Sequence, residues 1–193
     1  MLAGKIGFVL VSLISLMNAV VRTGGLFAIV PMLATALLGL SVGAIGFALM
    51  LGSICGLLAA YPAGWLADRF GRKVVIVPAT LMTATSMVLF CTAPTYGWFI
   101  AASIVWSVAS SVGGAAPATY AADSAPLGMN ATAMSAYRMT ADAGYVIGPL
   151  VLGLIADLYG PVISLLSAAF LLLLVGALFA LLAPETRPGR AAP

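Results

Sequence analysis

Apolar residues fill six stretches of the chain, roughly 6–34, 42–66, 74–93, 97–122, 129–157 and 161–183. Each is long enough for one helical crossing of a bilayer, which takes about 20 apolar residues. The gaps hold residues that stop or turn a helix: Gly39 and Ser41, the charged run Asp68–Lys73, Pro94, Pro126–Gly128, and Gly160–Pro161. Connections this short set consecutive helices side by side and antiparallel. The pattern predicts an all-α integral membrane protein, a six-transmembrane-helix bundle over 1–183 with a short tail over 184–193. Lys5 ahead of an apolar run has the outline of a signal peptide. The run is too long for one and lacks a small-residue cleavage site, so a first span is expected.

Composition decides the solvent. Of 193 residues, 63% are hydrophobic and only 7% charged, against about a quarter charged in a soluble domain. That surplus has to face lipid. No length is left over for a soluble catalytic domain. The chain has no histidine, which removes the commonest metal ligand and neutral-pH acid–base group. Cys55 and Cys91 lie inside apolar runs and read as packed small side chains. No Gly-x4-Gly-Lys-Ser/Thr loop, paired carboxylates, or Ser or Cys with a nearby base is present. An enzyme or an ATP-driven pump in cis is therefore not expected. Nor is a metal, a cofactor or a nucleic-acid partner.

Charge orients the spans. Lys5, Arg69, Arg72, Lys73, Arg187 and Arg190 fall on one side, and the opposite loops near 35–41, 93–97 and 158–161 carry no Lys or Arg. By the positive-inside rule both ends are expected in the cytoplasm.

Arg22, Arg138 and Asp142 fall well within apolar stretches, where each costs about 2.5–3.5 kcal/mol on insertion scales. Arg138 and Asp142 are four apart and share a helix face that Tyr145 and Pro149 continue. Gly144 and Gly148 point the other way and predict a close-packing seam, with Pro149 and Gly153 also expected among the helix-packing residues. Asp142 either exchanges a proton or merely neutralises Arg138. Ser15, Asn18 and Arg22 form a narrow polar arc that predicts a cavity-lining face. Three roles fit Arg22: binding an anionic group, pairing with Asp142, or hydrogen bonding to backbone carbonyls. Ser103, Ser107, Ser110 and Gly114 predict a small-residue face on the fourth helix, and Pro31, Pro62, Pro117 and Pro149 mark bends. Asp123 and Asp157, near helix ends, read as interfacial or capping residues. Trp98, Trp106 and Tyr120 read equally as interface anchors, packing residues or ligand contacts.

The most specific segment is Gly64-Trp65-Leu66-Ala67-Asp68-Arg69-Phe70-Gly71-Arg72-Lys73. Physically, Gly64 and Gly71 permit tight turns. Asp68 can pair with an arginine or accept from a helix amino terminus. Arg69, Arg72 and Lys73 can anchor to anionic headgroups. The segment resembles the signature loop of the major facilitator superfamily, G-x-L-a-D-r-x-G-r-(r/k), in the loop where that family carries it. The stretch from Tyr137 to Pro149 resembles the fifth helix of a family half. Gly148-Pro149 with Gly144 and Gly153 resembles the glycine–proline signature of drug/proton antiporters, although Ser135 and Leu152 stand where that signature has glycines. The ending Leu182-Ala183-Pro184-Glu185-Thr186-Arg187 resembles the carboxyl end of many members.

The resemblance implies one six-helix half, the carboxyl-terminal one, of a secondary transporter that works by alternating access between two halves. It implies a small-molecule substrate, proton-coupled efflux and a plasma-membrane location. It also implies that Asp68, within a gate loop, makes a breakable contact with a neighbouring helix. A lone half would expose Arg22, Arg138 and Asp142 to lipid, so a second half is expected from upstream in the same polypeptide, a separate chain or a second copy. The alternative is a membrane scaffold or sensor that keeps the half-fold without transporting.

Overall fold

The computed structural model describes residues 2–125 and 128–185, with side chains from residue 5 onward. Arg187 and Arg190 lie outside the described residues. Among the described residues, six helices are long and apolar enough to cross a membrane: Lys5–Leu38, Val42–Phe70, Lys73–Cys91, Tyr96–Asp123, Asn130–Tyr159 and Pro161–Leu182. These are the first to sixth spans. No strand occurs among the described residues.

Two spans depart from regular α-helix. The first changes to π-helix over Val21–Ile29 and returns to α-helix over Val30–Leu38. The fourth stops at Val112 and restarts at Ala116, where Pro117 occupies the opening turn. Such irregular backbone is tolerated at membrane depth only where protein covers it or a cavity meets it.

The spans pack chiefly in five pairs: second on fourth, first on fifth, third on sixth, third on fourth, and first on sixth. Exchanging spans one to three for four to six maps this set onto itself, which is the arrangement of an inverted repeat. The close contacts repeat as well. Gly52 and Gly56 of the second span approach the backbone of Ser103 and Ser107, whereas Gly144 and Gly148 of the fifth approach Leu16 and Val20. With no side chain at these points the helix backbones come close enough for dispersion to hold them in lipid. A short sequence repeat accompanies the symmetry: Gly64-Trp-Leu-Ala-Asp-Arg-Phe-Gly71 and Gly153-Leu-Ile-Ala-Asp-Leu-Tyr-Gly160. Both end in glycines of matching positive φ, +106° at Gly71 and +91° at Gly160, a region costly to side-chain-bearing residues. Each glycine N–H donates to the alanine carbonyl four residues back.

Three expectations about individual residues are corrected. Gly64 lies inside the second span with open space around its α-carbon, so it makes no turn. Gly153, expected in the packing seam, also faces open space, because the seam follows Gly144 and Gly148 around the helix. The small-residue face of the fourth span divides: Ser103 and Ser107 meet the second span, whereas Ser110 and Gly114 face a cavity.

Candidate functional site

Between the first, third, fourth and fifth spans lies a cavity of about 160 Å³. The first span contributes the whole predicted arc, Ser15, Asn18 and Arg22. The third span adds Thr80 and Thr83, the fourth Trp106 and Ser110, and the fifth Tyr137 and Tyr145. Both irregular segments touch it, Arg22 at the start of the π-helix and Gly113–Gly114 at the break in the fourth span. The opposite end of the bundle is filled instead by apolar packing around Leu33, Phe90 and Phe99. A polar chamber at membrane depth is thus closed at one end by an apolar core.

The fifth span divides the remaining candidates. Tyr137, Ala141 and Tyr145 face the cavity, whereas Arg138, Asp142 and Pro149 lie on an exposed face. Among the described residues Arg138 and Asp142 form no ion pair, and Arg22 pairs with neither. Thr23 fixes the first span beside the fifth, its hydroxyl donating to Ala19 O at 2.9 Å and reaching Tyr145 O at 3.4 Å.

A second polar cluster closes the basic end. Arg72 is nearly buried, and its Nη1 donates to Ala67 O and Asp68 Oδ1, each at 3.1 Å. Its Nε lies 3.4 Å from Asp123 Oδ2. Lys73 Nζ donates to Ala183 O at 2.8 Å, and the Lys73 backbone N–H donates to Glu185 Oε1 at 3.0 Å. Glu185 therefore caps the third span's amino terminus while Lys73 serves the carboxyl end of the sixth, each charge complementing a helix dipole. Arg69 points elsewhere, its guanidinium stacked 5.0 Å from the Trp65 ring centre.

The expected reach of Asp68 to a neighbouring helix is not what the geometry shows. Asp68 is mostly exposed and holds Arg72 of its own loop; the cross-helix contacts run through Arg72 and Lys73. Asp123 and Glu185 carry roles that local sequence does not display. Only the basic run opposite them hinted at acidic partners.

Tyr120, fully buried, packs its ring on Phe179 and donates its hydroxyl to Pro184 O at 2.7 Å. Tyr120→Phe keeps the ring and strands that carbonyl, at an expected cost of about 1 kcal/mol. A fall of a few degrees in melting temperature in detergent is the check; an unchanged melt would show that the bond contributes nothing.

The chain matches the sequence profile of the Major Facilitator Superfamily over residues 10–193. It belongs to the major facilitator superfamily. Multidrug resistance protein 1 of Bacillus subtilis is 26% identical over 178 residues, covering 91% of this chain and 46% of that protein. Human solute carrier family 22 member 2 is 36% identical over 50 residues, 26% of this chain and 9% of that protein. Among solved structures, the POT family transporter PepTSo superposes with a TM-score of 0.78 at 17% identity, covering 99% of this chain and 40% of that one. The human organic anion transporter MFSD10 (TETRAN) gives 0.62 at 21% identity, covering 96% of this chain and 48% of that one. This major facilitator chain thus spans less than half the length of these relatives. Family and helices together make it an integral membrane protein.

Proposed function

We propose that the chain is one six-helix half, the carboxyl-terminal one, of a secondary transporter that moves a small molecule by alternating access. One observation carries the reading: the polar cavity lies where the first and fourth spans lose regular helix, and such interrupted spans form binding sites in transporters built from repeats. The second half covers the exposed face of the fifth span, because Arg138 and Asp142 are too costly to leave against acyl chains. Proton-coupled efflux, in keeping with the name of the Bacillus relative, requires the Asp142 carboxyl to meet that second half, since the fifth span turns it away from the cavity. The basic end faces the cytoplasm of the plasma membrane, with Asp68, Arg69, Gly71, Arg72 and Lys73 forming the gate between the second and third spans.

Cysteine labelling tests this. With Cys55 and Cys91 replaced by serine, single cysteines at Asn18 and Arg22 are expected to react with a membrane-impermeant reagent from either face of oriented vesicles. A cysteine at Leu172, buried among apolar side chains, is expected to react from neither. Labelling of positions 18 and 22 from one face only, under every gradient applied, would overturn alternating access.

A further inference from the structure

We propose that the cavity selects a small aromatic carboxylate, its carboxyl group held by Arg22 and its ring against Trp106. The assignment rests on the reading of this cavity as the site of the transported molecule. Among the described residues, Arg22 is the only Lys, Arg, Asp or Glu side chain lining the cavity. Among the described residues no carboxylate lies within 4.0 Å of it, both ion pairs there belonging to Arg72. Arg22 is exposed on the open side of the cavity; a guanidinium in a membrane-spanning helix is costly without a counter-charge, and an anionic ligand supplies one. The planar fork of arginine matches a carboxylate with two parallel hydrogen bonds.

The fourth span restarts at Ala116 without a side-chain cap, and Gly113, Gly114 and Pro117 around that break line the cavity. Pro117 in that turn has no N–H, and Gly113 caps the preceding helix, whose carbonyl end meets the same break, so the backbone there adds little net charge and leaves Arg22 as the source of positive charge. Arg22 therefore favours an anion and disfavours a cation. Asn18 and Ser110 add neutral hydrogen-bonding groups. Trp106, Tyr137 and Tyr145 supply flat walls, which suit a planar ring more than a flexible chain. Asp142, the acid that would instead recruit a cationic ligand, lies on the exposed face.

The test is equilibrium binding of radiolabelled benzoate to detergent-solubilised protein purified from its native membrane, with unlabelled benzamide and benzylamine as neutral and cationic competitors of the same shape. Saturable benzoate binding is expected, with both competitors much weaker. Arg22→Gln is expected to weaken it by about tenfold or more. Arg22→Lys, which keeps the charge without the fork, is expected to fall between the two, and this ordering separates lost recognition from misfolding. Arg138→Gln removes a charge outside the cavity and is expected to bind benzoate as the parent does. Absence of benzoate binding, equal binding by Arg22→Gln, or preference for benzylamine overturns the assignment. Benzoate binding in a protein labelled from one face only would leave the anion site standing and overturn transport. Two-sided labelling with a preference for benzylamine would do the reverse.

Discussion

Gly148→Val is expected to deprive the protein of most of its folded, monodisperse population. A Cβ at position 148 would lie 2.8 Å from Val20 Cα and 2.9 Å from both Val20 O and Thr23 Oγ1. At Gly144 it would lie 2.5 Å from Leu16 O, and at Gly24, from the opposite side, 2.5 Å from Gly148 O. The obstructing atoms are mostly backbone and cannot rotate away, so the first and fifth spans must separate. Overpacking a core costs about 1–3 kcal/mol where side chains can adjust, and here they cannot. The loss is larger in lipid, where helix association draws on close packing rather than on the expulsion of water. The same separation would widen the cavity, because Asn18 and Arg22 stand on one of these spans and Tyr137 and Tyr145 on the other. Gly148→Ala is expected to be intermediate. Gly46→Val, where nothing lies within 4 Å, should change stability by no more than about 0.5 kcal/mol. Size-exclusion profiles and melting temperatures check this; a Gly148→Val protein that melts with the parent would disprove the tight seam.

Most of the architecture is legible in the sequence, because a span writes its length directly in apolar residues. The polar arc of Ser15, Asn18 and Arg22 is legible for a similar reason: one helix face recurs at a fixed spacing whatever surrounds it. Hydropathy does not register the hydrogen-bond register of a helix, so the π-helix at Val21–Ile29 leaves no trace in it. The fourth span is interrupted at 113–115 within a stretch whose hydropathy runs on unbroken, and only Pro117, expected at a bend, stands beside that break. For the fifth span, spacing correctly puts Arg138 and Asp142 on one face and Gly144 and Gly148 on another. Which face meets the cavity depends on how the bundle packs. The glycine face is pinned to the first span, and this turns Ala141 and Tyr145 inward and the two charges outward. The capping of the third span by Glu185 joins residues 112 positions apart. No local pattern encodes such a contact.

The loop at 64–73 shows why a motif's most recognisable acid need not be its most consequential one. Asp123→Ala is expected to destabilise the protein more than Asp68→Ala. The Arg72 side chain is 10% exposed, whereas Asp68 is 75% exposed and Asp123 36%. An ion pair with one partner in solvent is worth about 0–1 kcal/mol, so losing Asp68 is cheap. Arg72 Nε is buried and has no hydrogen-bond partner, so the Asp123 carboxylate 3.4 Å away is its main compensation. Removing Asp123 leaves that desolvated nitrogen facing no carboxylate, with only the exposed Asp68 against the other side of the guanidinium, at a cost of about 1–2 kcal/mol after allowing for the partial exposure of Asp123. The charge itself is then the source of the penalty, and deleting it should relieve part of the damage. The double variant Arg72→Met/Asp123→Ala is therefore expected to melt above Asp123→Ala alone, although below the parent. Melting curves for the two single variants and the double variant decide it. Equal losses from Asp68→Ala and Asp123→Ala, or a double variant no better than Asp123→Ala, would show that Arg72 is neutralised from solvent rather than by the end of the fourth span.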